Sequence, residues 1–170
     1  MQKYSIVSFL KPADFITILN AVSGFLSIIF LINENFVVGI GLMFVSAFLD
    51  FIDGKVARAL GKTTEFGKAL DFADLISFGV APTVLVSIKL PGPLTYLVAS
   101  IFIIVSLLRL ARFNVVKTNL TIGMPITFNG IIFPLIFFLI NFFQIDQTIY
   151  LWTMLISSIL MFSSFELKIK

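Results

Sequence analysis

"FVVGIGLMFVSAFLDFIDGKVAR", Phe36 to Arg58, carries no charge as far as Leu49 and then places Asp50, Asp53, Lys55 and Arg58 close together. An apolar run of this kind is a membrane span or a buried core helix, and the rest of the chain decides between them. Of 170 residues, 59% are hydrophobic and 12% charged, with a mean hydropathy of +1.09. Ordinary soluble domains are roughly half apolar and about a quarter charged, so the expected solvent is a bilayer. Spanning elements must then satisfy their backbone groups internally, which calls for helices. The apolar runs do not alternate polar and apolar residues as a transmembrane barrel requires.

Six such stretches are predicted: Phe15–Ile32, Phe36–Leu49, Leu75–Ile88, Leu94–Leu108, Ile122–Phe143 and Thr148–Phe165. Several fall short of the ~20 residues that cross a bilayer. The second and third are expected to gain length by continuing into the charged segment Asp50–Asp74. "NEN" at Asn33–Asn35, "LPGP" at Leu90–Pro93 and the polar stretch around Asp146 supply the breaks. Pro125 and Pro134 are expected within the fifth helix, kinking it. The segment before Pro12 mixes Tyr4, Ile6, Val7, Phe9 and Leu10 with polar residues, as a short interfacial helix does. The first stretch has no A-x-A-like cleavage site and is expected to be retained as a helix. The expected fold is therefore all-α, a single polytopic membrane domain over residues 1–170 with six transmembrane helices.

With six alternating spans, one side receives Lys3, Lys11, Lys55, Arg58, Lys62, Lys68, Arg109, Arg112, Lys117, Lys168 and Lys170, and the other only Lys89. That asymmetry predicts both termini and the Asp50–Asp74 segment on the cytoplasmic side of the cell membrane. The net charge of +3 suits anionic headgroups beside apolar runs better than nucleic acid. The chain has no cysteine and no histidine, so thiolate sites, disulfides and imidazole chemistry are excluded. Proton transfer and metal binding fall to carboxylates.

Four aspartates supply them: Asp50, Asp53, Asp71 and Asp74. At ~100° per residue, Asp50, Asp53, Gly54 and Ala57 share a helix face, with Arg58 at its edge. Gly67, Asp71, Asp74 and Phe78 share a face on the next helix. Gly61 is expected to end the first helix, and Thr63 or Thr64 to cap the second. So short a turn makes the two helices antiparallel and brings the carboxylate pairs together. Four carboxylates at close quarters repel unless cations sit among them. Oxygen-only ligands select Mg²⁺, Mn²⁺ or Ca²⁺, and a pair of such ions ~3.5–4 Å apart is the clamp used for displacement at phosphorus. Gly54, Ala57 and Gly67 leave room for a bulky ligand against the backbone. A lone aspartate at a helix end needs no function, but four on converging faces at a membrane boundary do.

The series Asp50, Asp53, Gly54, Ala57, Arg58, eight residues, Gly67 and Asp71 resembles the CDP-alcohol phosphatidyltransferase motif D-x2-D-G-x2-A-R-x8-G-x3-D-x3-D. The chain departs from it once: only Phe72 and Ala73 separate Asp71 from Asp74. On an ideal α-helix this leaves the two carboxylates within ~60° of each other but turns Asp74 by ~100° from the family position. A tightened turn can absorb the missing residue. "DLISFGVAP" at Asp74–Pro82, "LRLARFNV" at Leu108–Val115 and "GMP" at Gly123–Pro125 resemble the serine-transferring branch. That branch acts on CDP-diacylglycerol or CDP-archaeol.

The resemblance implies attack of the L-serine hydroxyl on the lipid-side phosphorus with release of CMP, assisted by two divalent cations, Mg²⁺ or Mn²⁺. It implies Asp50, Asp53 and Asp71 as shared metal ligands, and Asp74 as completing the second metal site and acting as general base. Gly54, Ala57, Arg58 and Gly67 would form the CDP-lipid pocket. Arg109 or Arg112 would bind the serine carboxylate or the phosphate, with Ser77 and Asn114 orienting serine. A homodimer is implied too. The rival acceptors are glycerol 3-phosphate and inositol phosphate, for which Arg109, Arg112 and Lys117 offer a basic cluster. A cation transporter is the rival of another class, but an ion path would spread its acids over several helices at mid-depth.

Overall fold

The computed structural model describes residues 10–59, 65–116 and 121–167, and of Ala57, Arg58, Glu65, Phe66, Lys68, Thr121 and Leu167 it describes the backbone alone. The expected interfacial helix before Pro12, the Gly61 break, the Thr63 or Thr64 cap, Lys62, Lys117 and the terminal lysines at 3, 168 and 170 lie outside the described residues. So do the side chains of Ala57 and Arg58.

Helix α1 (Pro12–Ile32) starts with proline at its first position, where no backbone donor is needed. The Lys11 N–H donates to Asp14 Oδ2 at 2.8 Å and closes that end. At the other end Glu34, with φ of 59°, turns the chain through the left-handed region, at the break predicted for "NEN". Helix α2 (Phe36–Ala59) then runs back along α1, carrying the apolar stretch straight on through Asp50 and Asp53. The third span is composite: α3 (Glu65–Leu70), a 3₁₀ turn at Asp71–Ala73, a π-helical segment at Leu75–Val80 and α4 (Ala81–Lys89). Helix α5 (Pro93–Val115) follows the LPGP break, and α6 (Asn129–Phe143) and α7 (Ile149–Phe162) complete the bundle.

Among the described residues, five helical stretches are long and apolar enough to cross a membrane, and α7, expected as the sixth span, is a shorter apolar helix. This is the polytopic all-α fold the composition predicts. Its boundaries differ from those expected: α5 runs on to Val115, α7 stops at Phe162, and the largest change is in the fifth stretch. The fifth stretch does not begin as a helix at Ile122. Thr121–Ile122 (β1) pairs antiparallel with Glu166–Leu167 (β2), and a 3₁₀ turn at Ile126–Phe128 leads into α6. Pro125 therefore stands ahead of the helix and only Pro134 lies inside it. Proline lacks the donor that a helix interior needs, and Gly123, at φ of +69°, already turns the chain the other way.

The bundle is inverted relative to a soluble protein. Phe15, Leu19, Phe25, Leu97, Ile104 and Trp152 face outward, as lipid requires. Inside, Phe78, Phe102 and Phe133 are fully buried, the last two edge to face at 5.7 Å. Small residues and hydroxyls join the helices, since burial of apolar area gives no preference for packing over lipid. Ser27 Oγ donates to the Gly39 carbonyl at 2.7 Å, Ser23 Oγ to that of Leu42 at 3.0 Å and Ser77 Oγ to that of Asn20 at 3.1 Å. Gly24 lets α1 close on the π segment: a Cβ there would collide with Ser77 Oγ and stand 2.7 Å from Ser77 Cα. At the end of the bundle away from the aspartates, the Lys89 ammonium lies 3.4 Å from the Phe36 ring centroid. In the connection before α7, the side-chain and backbone hydrogen bonds of Thr148 hold the Asp146 carboxyl below its ordinary pKa.

Arg112 ties the last helix to the rest. Its Nη1 donates to the carbonyls of Phe162 and Ser163 at 3.3 and 3.1 Å, and its Nη2 to those of Ile122 and Met161 at 3.0 and 2.8 Å. Gly123 makes this approach possible, because a Cβ would stand 2.7 Å from Arg112 Nη2. Arg112→Ala strips charged donors from the end of α7 and is expected to cost about 2 kcal/mol. Thermal unfolding in detergent measures this, and an unchanged midpoint would mean that the guanidinium does not hold α7 in place.

Candidate active site

The four aspartates come together where α2, the 3₁₀ turn and α5 meet. Asp50 and Asp74 face each other closely, and Asp53 and Asp71 lie within electrostatic reach of Asp74. Asp74 is 8% exposed, and Asp50, Asp53 and Asp71 are half-buried. The short Asp71–Asp74 interval is accommodated by the tightened turn. The Asp74 N–H donates to the Asp71 carbonyl, as a 3₁₀ turn requires. A 3₁₀ helix advances ~120° per residue, so three residues bring Asp74 back over Asp71. The wider π turn follows at once, and the Ala81 N–H reaches back to the Ile76 carbonyl.

Each of three carboxylates is also held by a neutral partner that motif reading does not single out. Thr17 Oγ1 donates to Asp53 Oδ2 at 2.7 Å, Asn20 Nδ2 to Asp74 Oδ1 at 2.6 Å and Thr127 Oγ1 to Asp50 Oδ2 at 2.7 Å. A signal for the first two exists in the sequence. Asp14, Thr17, Asn20, Ser23 and Ser27 form a buried polar line at helical spacing along an otherwise apolar span. Thr127 has no such periodicity, because it sits in the 3₁₀ turn before α6.

Arg109 brings the opposite charge. It is 8% exposed, lies in the field of Asp74, Asp50 and Asp71, and stacks over the Phe113 ring at 5.2 Å. Among the described residues, its Nε has no hydrogen-bond partner. Arg112, a turn further on, belongs to the carbonyl clamp instead, and the Ser77 hydroxyl is engaged with the Asn20 carbonyl. Asn114 is half-buried near the end of α5, and Gly54 and Gly67 are half-buried on α2 and α3.

The donor set is oxygen-only and self-repelling, which fits hard divalent cations in its chemistry. Among the described residues, no group of three acidic side chains is spaced to hold an ion; Asp50 and Asp74 stand side by side. Two carboxyls in such contact need a proton or a cation between them.

Comparison with known proteins gives this cluster its context. The sequence profile of the CDP-alcohol phosphatidyltransferases matches residues 10–163. The CDP-diacylglycerol–serine O-phosphatidyltransferase of Bacillus subtilis is 39% identical over 74% of this chain and 75% of its own length. Its namesake from Methanocaldococcus jannaschii is 34% identical over 85% of this chain and 69% of its own. The archaetidylserine synthase of Methanothermobacter thermautotrophicus is 34% identical over 98% of this chain and 73% of its own. The match runs through every described helix and contains all four aspartates and Arg109: the chain belongs to the CDP-alcohol phosphatidyltransferase family.

Proposed function

We propose that the protein transfers a phosphatidyl or archaetidyl group from a CDP-linked lipid to the hydroxyl of L-serine, releasing CMP. The observation that carries this reading is the buried Asp74, held by Asn20, within reach of three further carboxylates and of the Arg109 guanidinium. The names of the relatives above favour serine as the acceptor.

Asp74 takes the proton of the serine hydroxyl, since the chain offers no imidazole and a carboxylate within hydrogen-bond reach serves as base. A new P–O bond forms at the lipid-side phosphorus, and the bond to the CMP oxygen breaks, the electron pair leaving with CMP. Asp50, Asp53 and Asp71, with Asp74 completing the second site, would hold two divalent cations, Mg²⁺ or Mn²⁺. When bound, these supply charge neutralisation at the pyrophosphate. Thr17 and Thr127 fix the rotamers of Asp53 and Asp50. Gly54 and Gly67 would leave space beside the backbone for the nucleotide, and Ala57 and Arg58 follow one turn further along α2. Arg109 binds the serine carboxylate. The aspartates lie at the end of the bundle that also carries Lys11, Lys55 and Arg112, which supports a cytoplasmic active site in the cell membrane.

The acceptor is tested by CMP release from purified protein with CDP-lipid and Mg²⁺ or Mn²⁺. L-serine is expected to support turnover; glycerol 3-phosphate and inositol phosphate are not. Release with a phosphorylated acceptor alone would overturn serine while leaving the transfer chemistry standing.

A further inference from the structure

Asn20 has a role open beyond holding Asp74. It is fully buried in α1, and its backbone carbonyl already accepts from Ser46 and Ser77. Its amide orientation is fixed by its partner: facing a carboxylate, the NH₂ group donates to Asp74 Oδ1 at 2.6 Å, so Oδ1 points elsewhere. Among the described residues, that oxygen has no hydrogen-bond partner. A buried acceptor left orphaned is costly, and native interiors seldom contain one without a purpose. On the α5 side of Asp74, the buried Arg109 Nε is an orphaned donor. One open acceptor and one open donor therefore flank the same carboxylate from two different helices.

The candidate acceptors differ in what they would bring to these two atoms. Around its hydroxyl, serine carries an ammonium, which only donates, and a carboxylate, which only accepts. Glycerol 3-phosphate and inositol phosphate carry hydroxyls and a phosphate but no ammonium, so neither brings a charged donor to the orphaned carbonyl. The neighbouring polar groups are engaged: Thr17 with Asp53, Ser77 with the Asn20 carbonyl, Arg112 with the carbonyl clamp. We propose that Asn20 Oδ1 accepts a hydrogen bond from the acceptor's ammonium while Arg109 takes its carboxylate, so that the pair selects an α-amino acid bearing a hydroxyl. This rests on the serine reading above. Asn20 is then a specificity residue as well as a support for the base.

The experiment compares L-serine with 3-hydroxypropionate, which is serine without its amine, on wild type and Asn20→Ala. CMP release gives KM for serine and the inhibition constant of 3-hydroxypropionate against it. In wild type, serine is expected to be preferred by roughly tenfold or more, the value of a charge-assisted hydrogen bond in a buried site. In Asn20→Ala, KM for serine rises by that factor, the inhibition constant of 3-hydroxypropionate stays, and the preference vanishes. Damage to Asp74 positioning lowers kcat and affects both ligands alike, so an undiminished preference in the variant overturns the proposal. Should Asn20→Ala fail to fold, wild type decides alone: a preference below about twofold overturns it as well. If serine supports no release while another acceptor does, the serine reading falls and takes this proposal with it. If serine turns over normally and the preference is indifferent to Asn20, only this proposal falls.

Discussion

Asp50→Asn and Asp71→Asn are each expected to reduce CMP release on the order of 10³-fold or more while the protein stays folded. Asparagine keeps the shape of aspartate and an oxygen able to accept from Thr127, so packing at Asp50 survives. What disappears is one negative charge from a cluster in which Asp50 touches Asp74 and Asp71 acts on it through space. For a site that works by gathering positive charge around a pyrophosphate, that charge is the function. The helix ends themselves do not need it: Asp50 lies within a continuous α2, and the turn at Asp71 is held by backbone hydrogen bonds. Removing mutual repulsion can even raise the melting temperature. CMP-release rates beside thermal unfolding separate the two effects. Near-normal turnover in either variant would sink the shared-ligand assignment.

Stripping divalent cations is expected to have the other largest effect. Excess chelator should abolish release, and Mg²⁺ or Mn²⁺ should restore it. Thermal unfolding gives a readout independent of turnover. A cation bound only by the folded site raises the unfolding midpoint with concentration, following RT ln(1 + [L]/Kd). Asp71→Asn should flatten that dependence. Full turnover in excess chelator would mean that the four carboxylates act without ions.

Much of this architecture was legible in the sequence because the bilayer imposes it. Uninterrupted apolar runs can only be helices there, so the starts of α1, α2 and α5 follow closely from hydropathy and from breaks at "NEN" and "LPGP", while α2 and α5 run on past Leu49 and Leu108 into charged sequence. The start of the fifth span was not legible. Ile122 is apolar enough to join a helix, but its carbonyl accepts from Arg112 and its strand pairs with Glu166, contacts that sequence proximity does not reveal. Hydropathy likewise says nothing about local winding. The missing residue between Asp71 and Asp74 was visible, whereas the 3₁₀ turn that realigns them and the π segment after it come from tertiary packing against α1 and α5.

At the site, the motif located the charges but not what holds them. Asp50, Asp53, Asp71 and Asp74 were identifiable from spacing alone. Thr17, Asn20 and Thr127 were not, since each acts from a separate segment of the chain. The polar line along α1 was the available clue, because an asparagine deep inside a span has to be hydrogen-bonded to something. The two arginines at the end of α5 illustrate the reverse limit. Sequence makes Arg109 and Arg112 equivalent neighbours, yet one faces the carboxylates and the other clamps the end of α7.

The central claim is that these acids gather hard cations which grip a pyrophosphate, and anomalous diffraction from Mn²⁺ in the presence of CDP-lipid tests it most directly. Two peaks are predicted among the Asp50, Asp53, Asp71 and Asp74 oxygens, both in contact with the pyrophosphate. Bound CDP-lipid with no Mn²⁺ among those four side chains would contradict it.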